Sequence, residues 1–471
     1  MLPLTYGLIQ KDVNILNYTT LYEEIIKVIN KDGKKTFYCD AETALNVELW
    51  ETMYQGCPYW VDGNVIKSMN LPAAISAELS KLVTFEMKTE IKGSSFANYI
   101  NKEYQDGVVK KLRRHIEYGL AKGSLVIKPV PTEHGIRTQF IQAGQFFPIE
   151  FDGSGNIKKC VFVEQLIKGK YVFTLLEIHT LSNETLTIEN KAFKSGNNST
   201  LGSEIALSEI DEWAFLAPTI KFSGAKKLPF GLFTCPLANQ ININSPLGVS
   251  VFSRATELIA EADRRYSDIC WEYEAKQAAV HISTSMLNKN PDTGKFEVPE
   301  GRERLYRKVE YNTGAVDKPL IDVYSPDIRS DELFEGLNRQ LRLIEFNCSL
   351  AYGTLSDPND VDKTAEEIRS SKKRSYDFVQ DIHNSMASAL TDWADAAWFW
   401  SQIYNLAPNG NYEVVFEWGD SILADPEAER QNDRYDLANG TLRPEEYRAK
   451  YRNETVEQAL ANLPQVAQLI E

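Results

Sequence analysis

The sequence predicts an α+β protein, and three observations carry that prediction. Apolar residues recur at helical spacing before residue 122 and again after residue 245. The stretch between reads as short strands divided by Gly and Asn turns. The C-terminal half then runs helix, small insertion, helix, acidic loop and long helix. At roughly 100–200 residues per domain, 471 residues suffice for two to four packed units. A hydrophobic fraction of 43% with 11% aromatic residues lies far from disordered composition, so most of the chain is expected to fold.

The N-terminal part is read as helical. Leu21 to Asn30 is amphipathic, Glu42 to Tyr54 is helix-forming, and Pro72 to Lys88 spaces Ile75, Leu79, Leu82 and Val83 along one face. Val108 to Ala121 repeats the pattern with Val109, Leu112, Ile116 and Leu120. From Ser124 to Phe222 come Leu125–Val126–Ile127, Phe140–Ile141, Phe146–Phe147, Cys160 to Val163, Tyr171 to Leu176 and Leu186–Thr187–Ile188, with Asp152 to Asn156 as a turn. These are expected to be short antiparallel strands.

A long helix is predicted to start at Ser245–Pro246, an N-cap followed by proline at the first helical position. Val251, Ala255, Leu258, Ala262, Tyr266, Ile269 and Tyr273 form its apolar stripe, and Glu257, Glu261, Asp268 and Glu272 lie beside it. Ala279 to Arg329 reads as a small β-like insertion, with a turn at Pro291 to Gly294 between Ile282–Leu287 and Phe296–Val298. It concentrates Arg302, Arg304, Arg307 and Lys308.

Helix resumes at Ser330–Asp331–Glu332, whose acids suit the positive end of the helix dipole, and Leu333, Leu337, Leu341, Ile344 and Cys348 carry it to about Leu350. Tyr352 to Asp362 holds too much Gly, Pro, Asn and Asp for anything but a loop. Thr364 and Glu367 form a capping-box pair that restarts helix as far as about Asn405. Tyr412 to Trp418 alternates as one strand, and short helices follow at Asp425–Pro426, at Pro444 and at Thr455 with Gln458.

The net charge of −15 argues against a protein whose task is to grip nucleic acid, because tight phosphate binding rests on clustered Lys and Arg. The six cysteines stand singly with no secretory leader ahead of them, and so are expected as reduced thiols of a protein made in a cytoplasm. No run approaches the 18 apolar residues of a membrane span. Five scattered histidines do not make a zinc site, so neither metal nor cofactor is expected.

No Gly-Lys pair has the upstream glycine and following Ser or Thr of a phosphate-binding loop, so ATP hydrolysis by this chain is not expected. No nucleophile elbow, H-E-x-x-H or dinucleotide fingerprint is present. The carboxylates Asp357, Asp360 and Asp362, and Asp420 with Asp425, suggest Mg²⁺ or acid–base chemistry only weakly, because acidic loops and helix caps are far commoner than such sites. Lys110 to Arg114 is a basic run best read as a solvated face; Lys372–Lys373–Arg374, just after the acidic loop, has a stronger claim to phosphate. Trp393, Trp398 and Trp400 lack a basic groove and are expected to pack rather than to stack on bases.

Several stretches in order resemble the portal proteins of tailed bacteriophages, in the branch common in phages of Gram-positive bacteria. Ala77 to Val83 through Glu90–Ile91 is similar to the N-terminal helix of that branch, and Glu117 to Gly123 with Lys128–Pro129 to its helix-to-strand junction. Ser245 to Ser250 leading to Trp271–Glu272–Tyr273–Glu274 resembles its first stem helix. Thr364 to Ile368, Glu417 to Ile422 and Asp425 to Arg430 resemble the start of its long inner helix and the strand and helix that follow. The likeness runs from about residue 70 onward and rests on order and spacing.

The resemblance implies a portal fold: an α/β wing over 1–245, stem helix 1 over 246–278, a small α/β clip over 279–329 and stem helix 2 over 330–350. It further implies a tunnel loop over 351–363, the long inner helix and return strand of the wing over 364–424, and a helical crown over 425–471. It implies a homo-oligomeric ring of typically twelve subunits at one capsid vertex, and so a virion protein made in the host cytoplasm. Double-stranded DNA passes through such a ring. Its other expected partners are the terminase large subunit, the head–tail adaptor, and the major capsid and scaffolding proteins.

On that placement Glu257, Glu261, Asp268 and Glu272 would line the channel, where acid repels the duplex over about one Debye length, roughly 8 Å at physiological salt. Thr354, Ser356, Asp357, Asn359, Asp360, Asp362 and Lys363 would lie near DNA, with Ser356, Asn359 and Lys363 as touch points. Arg302, Arg304, Arg307 and Lys308 would meet terminase or adaptor. The competing readings are another virion structural protein, such as an adaptor or baseplate component, and a carboxylate-dependent hydrolase.

Overall fold

The structure, a computed structural model, describes residues 18–29, 41–196, 200–243, 245, 247–276, 279–283, 291, 306–309, 321–324, 329–357, 365–419, 426–452 and 454–463. These residues fall into two compact units, the larger ending at Phe416 and the smaller made chiefly of the C-terminal helices.

Helices α1 (Tyr18–Ile29) and α2 (Ala41–Tyr54) pack together, and the Tyr18 ring stacks on Phe147 at 4.4 Å. Helix α3 (Leu71–Thr84) buries Ile75, Leu79 and Val83 as its spacing predicts, but ends four residues before the expected Lys88, which instead opens strand β1 (Lys88–Lys92). A helix that the periodicity did not signal, α4 (Ser95–Glu103), runs through a π-helical turn at Tyr104–Val109 into α5 (Lys110–Lys122). Helix α5 buries Leu112, Ile116 and Leu120 and leaves Lys111, Arg113 and Arg114 exposed, as expected for a solvated basic face.

Strands β2 (Ser124–Thr132), β3 (Gly135–Gln142), β4 (Phe146–Phe151), β5 (Ile157–Lys168), β6 (Tyr171–Ser182), β7 (Thr185–Ser195), β8 (Ser203–Ile205), β9 (Thr219–Ser223) and β10 (Gly231–Thr234) follow. They make an antiparallel sheet of order β4-β5-β6-β7-β8, with β9 also on β7, and a second sheet of order β10-β2-β3. The β6–β7 hairpin turns on Asn183 and Glu184, both at positive φ, which is the backbone a two-residue turn between twisted strands requires. One ion pair is sunk in this region. Lys128 Nζ donates to Glu177 Oε1 at 2.5 Å and lies 4.5 Å from the centre of the Phe162 ring, and the fully buried His179 meets the same carboxylate. Burial alone would push the Glu177 pKa up, but Lys128 and His179 outweigh it and hold the group well below the carboxylate range.

Helix α6 (Thr256–Ala275) begins ten residues later than Ser245–Pro246 predicts. The Ser245 hydroxyl accepts the Leu247 N–H, and the chain from 247 to 252 is pinned to the end of α5: Val251 N–H donates to Leu120 O at 3.0 Å. A Cβ on Gly248 would sit 2.0 Å from Gly123 O, and Gly123 is itself at φ +85°. Only glycine permits so close an approach of two backbones. A 3₁₀ turn at Ser253–Ala255 then leads into α6.

Strands β11 (Ala279–Ser283), β12 (Tyr306–Val309) and β13 (Ile321–Tyr324) form a small sheet with β11 in the middle, parallel to β12 and antiparallel to β13. The strand expected over Ile282–Leu287 thus starts three residues earlier, whereas Phe296–Val298 lies outside the described residues. Helix α7 (Ser330–Asn347) returns against α6. Arg329 Nε meets Glu272 Oε1 at 3.4 Å, and Gln340 Nε2 donates to Leu258 O at 3.2 Å, so the two helices run antiparallel.

Helix α8 (Ala365–Tyr404) packs on β2 and β10 and buries Val379, Ile382, Met386, Leu390, Trp393, Ala397 and Trp400. Trp393 and Trp400 are core residues as expected, and Trp398 donates from Nε1 to Asn409 Oδ1. Strand β14 (Glu413–Glu417) pairs with β1. In the smaller unit α9 (Pro426–Ala438), α10 (Pro444–Arg452) and α11 (Val456–Ala461) are held by polar contacts: Lys450 to Asp433 at 2.6 Å, Arg448 to Glu454 at 2.8 Å, and the Thr455–Gln458 capping box.

Candidate functional site

The four acids singled out on α6 fall within roughly 60° of its circumference at about 100° per residue. Glu257 and Asp268 are exposed. Glu261 is paired with Arg264 at 3.6 Å and Arg265 at 3.3 Å, and Glu272 with Lys276 at 2.7 Å and Arg329. Hydrogen bonds from Lys276 and Arg329 hold the Glu272 carboxyl below its ordinary pKa. The face is therefore mixed, with two unscreened acids and two partly neutralised ones.

Large apolar side chains share the exposed faces of the pair. Trp271 on α6 is 67% exposed, and Phe334, Leu343 and Phe346 on α7 are 48%, 52% and 55% exposed. Tyr273, expected in the apolar stripe, also points to solvent, while Ile259, Asp263 and Ser267 are buried instead.

Asp263 is a residue the stripe did not include. It accepts from Trp60 Nε1 at 2.9 Å and from Met69 N at 2.7 Å, while Ser267 Oγ accepts from Lys67 N. The loop over 60–69 is thereby tied to α6. Burial raises the Asp263 pKa, and the two hydrogen bonds only partly offset it.

Helix α7 carries a second buried acid, Glu345. Ser349, at φ +56°, ends the helix with two reversing bonds, Leu350 N to Glu345 O at 2.9 Å and Ser349 N to Phe346 O at 3.3 Å. The chain then turns back along α7. Glu345 Oε1 accepts the N–H groups of Gly353, Leu355 and Ser356 at 3.1, 2.6 and 2.9 Å, and Oε2 accepts the Ser356 hydroxyl at 2.9 Å. About two turns toward the start of the helix, Asn338 Oδ1 accepts from Asp357 N at 2.7 Å. From α8, Arg374 donates to Leu350 O at 3.1 Å with its guanidinium over the Phe346 and Tyr352 rings, 4.8 and 5.0 Å from their centres.

Of the expected loop residues, Thr354 and Asp357 are exposed at this root. Ser356 is 5% exposed and committed to Glu345, which corrects its reading as a touch point: its hydroxyl holds the loop down and is not free to meet another molecule. Asn359, Asp360, Asp362 and Lys363 lie outside the described residues, as do Arg302 and Arg304. Arg307 and Lys308 stand on β12, in register with His281 and Ile282 of β11. Lys372 and Lys373 are exposed, whereas Arg374 is taken up by the loop root. Among the described residues, no three His, Cys, Asp or Glu side chains gather as a metal site, and no helix is long and apolar enough to cross a membrane.

Asp263 and Glu345 share one sequence signal. Each is an acid four residues after a buried aliphatic, Ile259 or Leu341, and so falls on the core side of its helix.

No curated protein matches the sequence. Two similar solved structures are a chain from the neck of a native gene transfer agent particle, computed with C12 symmetry, and one from the virion of a native gene transfer agent particle. Both are 12% identical with a TM-score of 0.42; the first match covers 94% of this chain and 99% of that one, the second 91% and 98%. The family model described as "Phage portal protein, SPP1 Gp6-like" matches residues 77–461, which takes in the α6–α7 pair, the loop root and α8. The chain belongs to the SPP1 Gp6-like family of phage portal proteins.

Proposed function

We propose that twelve copies of this chain close into a ring at one capsid vertex, and that double-stranded DNA enters and leaves the capsid through it. The wing spans 1–245, the stem 246–278 and 330–350, the clip 279–329, the tunnel loop 351–363, the inner helix and return strand 364–424, and the crown 425–471. The clip, with Arg302, Arg304, Arg307 and Lys308, receives the terminase large subunit and later the head–tail adaptor. The major capsid and scaffolding proteins are further partners of the ring. The ring belongs to the virion and is built in the host cytoplasm. The chain itself does no chemistry.

The observation that carries this reading is the order of elements between residues 256 and 404: antiparallel α6 and α7 joined by a three-stranded sheet, then a loop, then a 40-residue helix. Exposed acid beside exposed aromatic residues on α6 suits a helix with one side toward DNA and another against a neighbouring copy. Glu257 and Asp268 supply repulsion at the wall, with Glu261 and Glu272 contributing less because cations sit beside them. A wall that lets any sequence slide gains from weak contact, since each strong phosphate contact adds a barrier to movement. Native mass measurement and particle imaging test the proposal. A closed ring with a central channel is the expected result, and a chain that stays monomeric under every assembly condition would sink it.

A further inference from the structure

We propose that Glu345 is the positioning residue of the channel: from inside α7 it holds the root of the DNA-facing loop in place, with Arg374 bracing the same root from α8. The inference rests on the channel reading above and adds to it the group that sets where the loop begins. Four donors converge on one carboxylate that is wholly buried, and both of its oxygens are used. Three of the donors are backbone N–H groups from residues 353–356, which have no strand or helix of their own to satisfy them.

The chemistry explains why an acid stands there. A carboxylate offers only acceptors, and each N–H bond to an ionised oxygen is stronger than a neutral one. Asn338 takes the next N–H, so residues 353–357 are fastened to α7 over about two turns of helix. On the other side, Arg374 holds Leu350 O while its plane covers Phe346 and Tyr352. The loop thus departs from a mount fixed to both helices, and any displacement of α7 carries the loop root with it. Ser356 belongs to this mount.

The test is hydrogen exchange on the assembled full-length ring, followed by DNA packaging and retention. Glu345→Leu is expected to raise exchange at Gly353, Leu355 and Ser356 by about 50-fold, with amides of β6 unchanged, and to lower packaging or retention. Glu345→Gln keeps an acceptor toward the three N–H groups and can donate to Ser356 Oγ, so it should restore packaging and keep exchange within about tenfold of the parent. Should Glu345→Leu fail to assemble, Ser356→Ala removes the bond its hydroxyl donates to Glu345 Oε2 and the one it accepts from Gly353 N, and is expected to raise exchange at the loop root by about fivefold. Unchanged exchange at these amides overturns the proposal, and so does raised exchange with packaging and retention intact. Deleting residues 359–362 separates the two readings. If packaging is then unaffected while Glu345 still governs exchange at 353–356, the channel reading of the loop has failed rather than the mount.

Discussion

In the β region Phe146, Phe147, Cys160, Val161, Leu175, Leu176, Ile178 and Phe193 are all buried, and even its charges are matched internally, Lys128 to Glu177 with His179 beside them. The α6–α7 pair is built otherwise. Its core side is closed by Ile259, Ile269, Leu337 and Ile344, yet Trp271, Phe334, Leu343 and Phe346 stay about half exposed or more. Scattered exposed apolar residues are ordinary, but large ones repeated along two paired helices mark a surface to be covered. The first region covers most of its large apolar side chains within a single chain, with Ile167 and Phe215 as scattered exceptions. The other holds its buried acids for its own loops and leaves Trp271 and Phe334 exposed on its surface.

The largest test of this contrast breaks the self-contained region. Lys128→Met leaves the partly buried Glu177 carboxylate, its side chain 26% exposed, with His179 as its remaining partner, and should cost about 1.5–3 kcal/mol of stability in denaturant unfolding. Adding Glu177→Leu removes the stranded charge and should recover most of that loss. A loss below about 1 kcal/mol for the single variant would show that the pair is solvated and the contrast overstated.

A smaller effect concerns acid. His115 stacks on Phe140 with ring centres 3.9 Å apart, and burial, with Arg114 and Lys111 adding to it, lowers its pKa to about 4. In the unfolded chain it takes a proton near 6.5, so its contribution is full above that pH and is lost as pH falls from about 6.5 toward 4. The buried His179 and His383, also lowered, act in the same direction. His115→Phe keeps the stack and removes the titration. It should shrink the loss of stability between pH 6.5 and 4 by on the order of 1–2 kcal/mol, as read from unfolding midpoints across pH. An unchanged pH profile would assign the acid sensitivity elsewhere.

The smallest effect on the chain alone sharpens the other side of the comparison. Trp271→Ser should change the stability of the isolated chain by less than about 0.5 kcal/mol, because the side chain is already in water. It should nevertheless shift the proposed ring toward smaller species in mass photometry. A marked loss of monomer stability would mean that the tryptophan serves the chain's own fold.

Much of the architecture was legible because period and turn chemistry are local. The alternation of Tyr412 to Trp418 became β14, the starts at Ser330, Pro426 and Pro444 hold, and Thr455 with Gln458 forms the capping box. Ser245–Pro246 misled because a local helix-start signal lost to a tertiary one: Val251 N is bonded to Leu120 O and Gly248 is packed against Gly123 at the end of α5. The helix α4 stayed hidden because Ser95 to Glu103 is too short for periodicity to stand out, although Ser94 caps it, accepting from Ala97 N at Oγ and from Asn98 N at its carbonyl.

The candidate site divides in the same way. Acids at 257, 261, 268 and 272 share one side of α6 by spacing alone, and that needed only the helical period. Which of them carry free charge was decided by Arg264, Arg265, Lys276 and Arg329, the last reaching across from α7. Glu345 is visible in the sequence as an acid following Leu337 and Leu341 at steps of four, a place where charge is costly. What resolves that cost is invisible there, because the donors are backbone N–H groups at 353, 355 and 356, and every residue but proline has one. The sequence by itself determined the order of helices and strands and the side of each helix on which charge falls, since these follow from residue spacing. Tertiary structure alone decided which charges are spent holding the fold and which stay exposed, since a hydrogen-bond partner is set by proximity in space and not along the chain.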